Sequence, residues 1–206
     1  MARRKVILAV AAVILAVVVA VPAYTLGRVS TPAIPIPGND SAEAGFARDM
    51  QVHHDQGVEM AFIIRDLTDD PGIRLLAYDI ANVQAHQSGQ MYGWLSVWDL
   101  PAYSAAEPMA WMSHDMEDMD SAMNHEAAMP GMATAEQIDA LEASSGVEAE
   151  VMFLELMISH HLGAVDMAEG VLPLTDNGLV TSFANSVLTS QESEIELMRG
   201  MLEERQ

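Results

Sequence analysis

Four histidines stand in two adjacent pairs, His53-His54 in MQVHHDQGVEMA and His160-His161 in MISHHLGAVDMA, each within an otherwise apolar, helix-like run. Met50 and Met157 lie three residues before the first histidine of each pair, and Met60 and Met167 lie seven after it. Residues three, four and seven apart share a helix face, so each run sets imidazole between two thioethers along one face. Imidazole with thioether suits Cu(I) or Ag(I), whereas imidazole with carboxylate suits Zn(II) or Cu(II). The metal ligands this chemistry nominates are Met50, His53, His54 and Met60, with Met157, His160, His161 and Met167. The rival is a hydrogen-bonded histidine–glutamine layer that fixes helix register and holds no metal.

The two runs belong to a longer repeat. A shift of 107 residues aligns 42–95 with 149–202 without a gap and leaves 17 of 54 positions identical, the mark of two copies of one supersecondary unit. The identities include Glu43/Glu150, Leu67-Thr68-Asp69/Leu174-Thr175-Asp176, Gln84/Gln191 and Met91/Met198. In the first copy Phe46, Met50, His53, Gly57, Met60 and Ile64 follow one another at steps of 4, 3, 4, 3 and 4, the seam of a packed helix. Phe153, Met157, His160, Ala164, Met167 and Val171 repeat that rhythm. LTDDPG and LTDNG break it, and Asp70 with Pro71 reads as an N-cap and first helical residue.

Second helices follow, with stripes through Ile73, Ala77, Ile80, Gln84, Gln87, Met91 and Trp94 and through Val180, Ala184, Val187, Gln191, Glu194, Met198 and Met201. The expectation is an all-α fold, a four-helix bundle of two pseudo-symmetric hairpins. Glu194, Met91 and Met198 join the ligand candidates in second rank. His54 and His161, one position off the seam, are expected to flank the layer, and His86 to lie on the surface.

Between the copies, seven methionines fall in the 24 residues 109–132. Met109, Met112, Met116, Met119 and Met123 keep helical spacing, which usually signals packing by a side chain that fills irregular gaps. Leucine would pack as well and resist oxidation, so soft-metal capture is the second reading. Its candidates are Met112, Met116, Met119 and Met123, with His114 and His125 able to join them only outside one regular helix. Thr134-x-x-Gln137 is a capping box opening the next helix, which Gly146 interrupts.

The elements carrying these residues sit behind MARRKVILAVAAVILAVVVAVPAYTLGR, where 22 uncharged residues follow Lys5. That length spans a bilayer, and the three basic residues at its start place the rest on the extracytoplasmic face. Single-pass anchoring is preferred over secretion after cleavage at Val21-Pro22-Ala23. The plan is an anchor at 1–29, a proline-rich linker at 30–41 and a bundle domain at 42–206, with repeats at 42–98 and 149–204 around an insert at 101–133. Cysteine is absent, which excludes disulfides and thiolate sites. All 30 Asp and Glu lie after residue 30 against five arginines, a net charge of −25 that repels nucleic acid and draws cations.

FARDMQVHHDQGVEMA, MPGMATAEQIDALEASSGVEAEVMFLELMISHHLGAVDMA and SQESEIELM together resemble a bacterial family catalogued as domain of unknown function 305. The resemblance covers Ala42 to Leu202. It implies a ferritin-like fold, export and a link to copper binding or tolerance, falling on Met50, His53, His54 and Met60 and on Met157, His160, His161 and Met167. The first copy departs from the family ending, with Gln87 where the second has Glu194.

The function expected is metal sequestration or tolerance by a membrane-tethered bundle, with Cu(I) favoured over zinc or silver. The alternative is an envelope structural or interaction module with no metal. A ferritin-like oxidase would need Glu-x-x-His pairs, which the sequence lacks, so no enzyme is expected. Metal ions and the membrane are the expected partners, nucleic acid is not, and a homo-oligomer stays open.

Overall fold

The computed structural model describes residues 2–29, 35–112 and 129–206. It divides into two compact units, Met1–Pro35 and Ile36–Gln206. The first unit is one helix, α1 (Ala2–Val29), of which Ala2–Gly27 is long and apolar enough to cross a membrane or to serve as a signal sequence.

The second unit is all-helical among its described residues: α2 (Ala42–Leu67), α3 (Pro71–Val97), α4 (Ala135–Ala143), α5 (Gly146–Val171) and α6 (Gly178–Glu203). Four of these five starts carry a side-chain cap, α5 being the exception. Ser41 Oγ accepts from Ala44 N–H, Asp70 from Ile73 N–H with Pro71 following, and Asn177 from Leu179 N–H. Thr134 and Gln137 form the expected capping box on α4. These caps satisfy N–H groups that a first helical turn cannot bond internally. α5 is also apolar enough to span a membrane by composition, but half of that stretch is buried inside the bundle, as befits a core helix.

α2 packs along α3 and α5 along α6, and the two hairpins meet through α2 and α5, the histidine helices. The start of α2 lies by the end of α5, because Glu43 accepts the Thr175 hydroxyl at 2.5 Å while Glu150 accepts that of Thr68 at 2.5 Å. α2 and α5 are therefore antiparallel. Each repeat's opening glutamate grips the other repeat's LTD turn, and the threonine oxygens also accept the Asp70 and Asn177 N–H groups. Arg205 adds to one of these grips alone, reaching Glu150 at 2.7 Å and Asp70 at 3.3 Å.

Every apolar seam residue named from the sequence on α2 and α5 is buried. The core is not continuous, however. One cluster gathers Phe46, Met50, Met91, Met167, Val171, Val180 and Phe183, and a second gathers Met60, Ile64, Ile73, Leu76, Phe153, Met157 and Met198. The 107-residue shift turns one set into the other. Full burial of side chains of this size contributes about 1.5–3 kcal/mol each. Between the clusters lies the polar layer.

Candidate metal centre

His53 and His160 meet where α2 crosses α5, their ring centroids 3.9 Å apart. Gly57 permits this approach, since a side chain there would collide with Gln84 and His160. His160 Nε2 donates to the His53 carbonyl at 2.7 Å, and His53 Nε2 donates to the Pro130 carbonyl at 3.1 Å. His161 Nε2 lies 2.7 Å from Glu194 Oε2. Carbonyls and carboxylates only accept, so each of these Nε2 atoms carries a proton, and in the neutral rings of His53 and His160 Nδ1 is left as a bare lone pair.

These lone pairs have no protein partner among the described residues. Among the described residues ten buried side-chain nitrogen or oxygen atoms lack a hydrogen bond, and nine of them belong to His53, His54, His160, His161, Gln84, Gln87 and Gln191. His54 is the extreme case, with neither ring nitrogen bonded; Gln87 faces it without making a bond of good geometry. Three of the four rings are held neutral. Burial lowers His53 to about 4 and His54 to about 3, and it pushes His160 well below the ordinary imidazole value. Neighbouring imidazoles add to the depression of all three, while the bond to Pro130 opposes it at His53.

The structure corrects one expectation. His54 and His161 do not flank the layer; both are fully buried within it. Gln84, Gln87 and Gln191 are buried and Glu194 partly so, as the stripes required, and His86 is exposed. Met50, Met60, Met91, Met157, Met167 and Met198 are all fully buried. Met50 and Met91 stand in the same cluster as Met167 on one side of the layer, with Met60, Met157 and Met198 on the other. Thioethers therefore bound the unpartnered imidazoles from both sides.

The insert is tied down at both described ends. Asp49 accepts from Met109 N–H at 2.8 Å and from Trp111 Nε1 at 2.7 Å. Burial raises the Asp49 carboxyl above the usual range, against the pull of those two bonds. Met109 has a left-handed backbone (φ 64°) and only Ala110–Met112 forms a 3-10 turn, so no helical stripe starts at Met109. Met112 lies against Gly170. Met116, Met119, Met123, His114 and His125 fall outside the described residues.

At the far end, residues 129–133 lie over the histidines. Gly131 adopts φ +73°, and Gly163 lets the Pro130 carbonyl come where a side chain would stand. Gln56 clasps the Ala133 peptide from both sides, at 2.7 and 2.9 Å. Sequence reasoning missed this clasp and the Asp49–Trp111 anchor, because neither falls in the repeat identities.

Among the described residues no three His, Cys, Asp or Glu side chains converge as an ion-holding group. Scattered Nδ1 lone pairs among thioethers fit a soft monovalent cation, which accepts few ligands and prefers nitrogen and sulfur. Outer bonds from Nε2–H to a carbonyl or carboxylate are also what orients a metal-binding imidazole.

The family model "Domain of unknown function (DUF305)" matches residues 43–202. None of the curated proteins matches the chain. A DUF305 protein from Streptomyces coelicolor, provisionally described as secreted, is 48% identical with TM-score 0.74, over 82% of this chain and 96% of that one. A DUF305 fragment from Deinococcus radiodurans is 29% identical with TM-score 0.65, over 79% and 96%. CopM in its Cu(I)-bound form is 21% identical with TM-score 0.60, over 80% and 96%, and its Cu(II)- and Ag-bound forms match similarly.

Proposed function

The chain belongs to the DUF305 family, and we propose that it is an exported, membrane-tethered bundle that binds Cu(I) in its histidine–methionine layer, for sequestration or tolerance. Silver and zinc are the alternative ions, and the activity is binding rather than catalysis. One observation carries the reading: buried imidazoles whose Nε2 protons are engaged and whose Nδ1 lone pairs have no donor. Each unmet buried acceptor costs about 1–3 kcal/mol. A purely structural layer satisfies its own polar atoms, since a half-satisfied network is worse than an apolar core. A Lewis acid offsets the cost that this layer otherwise bears. CopM was crystallised with copper and silver on the same fold, which gives that fold a precedent for soft ions. The apolar helix α1 supports attachment to, or passage through, a membrane.

The test compares two double variants, His53→Gln with His160→Gln and His54→Gln with His161→Gln. Both are made in a chain whose insert carries His114→Gln, His125→Gln, Met116→Leu, Met119→Leu and Met123→Leu. Glutamine keeps polarity and approximate size. The expected outcome is Cu(I) affinity weakened at least about tenfold in one or both pairs, measured by competition with a chromophoric chelator. Unchanged stoichiometry and affinity in both would reject the layer as the site.

A further inference from the structure

Among the candidate ligands and the residues that back them, the two hairpins correspond in all but one position. Met50, His54 and Met91 in the first hairpin correspond to Met157, His161 and Met198 in the second, and all six are fully buried. Met50 lies four residues before His54, and Met91 four after Gln87; Met157 and Met198 stand likewise to His161 and Glu194. Four-residue spacing puts each pair on one helix face, on the two neighbouring helices of a hairpin. The departure is Gln87 against Glu194.

That difference changes the chemistry. In the first hairpin the corresponding donors are neutral: an imidazole with neither nitrogen bonded, a carboxamide with an unpartnered oxygen, and two thioethers. In the second, a carboxylate holds the imidazole by its Nε2 at 2.7 Å, leaves Nδ1 unpartnered, and is 23% exposed. A carboxylate bonded to a ligand imidazole raises its basicity and lowers the site's net charge by one, which favours a divalent ion. A neutral nitrogen–sulfur set favours a monovalent soft ion and gains nothing from a second positive charge.

Resting on the metal-binding reading above, we infer that the hairpins form two unequal sites. The one at Met50, His54 and Met91 accepts only monovalent soft cations. The one at Met157, His161 and Met198, backed by Glu194, also accepts a divalent ion such as Cu(II) or Zn(II). Glu194, partly open to solvent, is the side from which that ion arrives.

The experiment titrates the full-length protein in detergent with Ag(I) and with Zn(II), both redox-inert, by equilibrium dialysis and metal counting. It compares the parent with the near-isosteric swaps Glu194→Gln and Gln87→Glu. Glu194→Gln should weaken Zn(II) binding at one site by at least about tenfold and leave Ag(I) stoichiometry unchanged. Gln87→Glu should add one Zn(II) equivalent; if that variant fails to fold, Glu194→Gln decides alone. Zn(II) binding indifferent to Glu194→Gln, with Ag(I) still bound, overturns the two-site inference and leaves the metal-binding reading standing. Failure of the parent to bind Ag(I) overturns both.

Discussion

Lowering the pH from 6.5 towards 4 is expected to unfold the bundle cooperatively. Burial holds His53 at about 4 and His54 at about 3, and His160 well below the ordinary value, so the folded layer stays neutral where the unfolded chain protonates. The unfolded state therefore binds more protons throughout that window. The stability these groups support is fully present above the unfolded value near 6.5, and it is lost as pH falls towards the folded values. Each histidine removes up to about 1.4 kcal/mol per pH unit, so three remove about 4. Against a typical domain stability of about 5–15 kcal/mol, that is exhausted within roughly one to four units. Asp49 and Asp166 act the other way, since their raised carboxyls are relieved on protonation, but they are two groups against three. Far-ultraviolet circular dichroism against pH checks this. Full helix and an undiminished thermal midpoint at pH 4 would contradict it.

Glu150→Ala should cost about 3 kcal/mol, and its repeat equivalent Glu43→Ala only about 1. Glu150 is buried, accepts the Thr68 hydroxyl and faces Arg205, whose side chain is only 10% exposed. Removing it strands a largely buried guanidinium, for which losses of about 3–5 kcal/mol are usual. Asp70 and the Met201 carbonyl still hold Arg205, so the lower end applies. Glu43 is partly buried and accepts Thr175, with no arginine at the matching place, and its loss is that of one hydrogen bond. Urea unfolding of both variants measures the difference as a shift in midpoint at constant slope. Equal costs would show that Arg205 adds nothing to the grip.

The repeat, the seams, the caps and the buried glutamines were legible because each is local or periodic. His54 and His161 were misplaced for an instructive reason. A 4/3 seam describes a helix with one neighbour, but α2 packs against both α3 and α5, and α5 against both α2 and α6. The second interface buries the position after every second seam residue: Ala47, His54 and Ala61 on α2, and Leu154, His161 and Ala168 on α5. The wider apolar stripe was visible in those small and apolar neighbours, had two interfaces been assumed. The crossed glutamate–threonine grips were visible as repeat identities, but not as contacts, because their partners lie 82 and 132 residues apart. The loop over the histidines depends on backbone approach at Gly131 and Gly163, which no side-chain pattern announces.

The most direct measurement is methionine-methyl NMR of the protein during Ag(I) titration, with Ag(I) standing in for Cu(I) as a soft monovalent ion. Binding in the layer predicts that Met50, Met91, Met157 and Met198, with Met60 and Met167 beside them, shift together and saturate in step with the buried imidazole signals. Shifts confined to Met116, Met119 and Met123, with the buried methionines and histidines unmoved, would contradict a metal site between the hairpins.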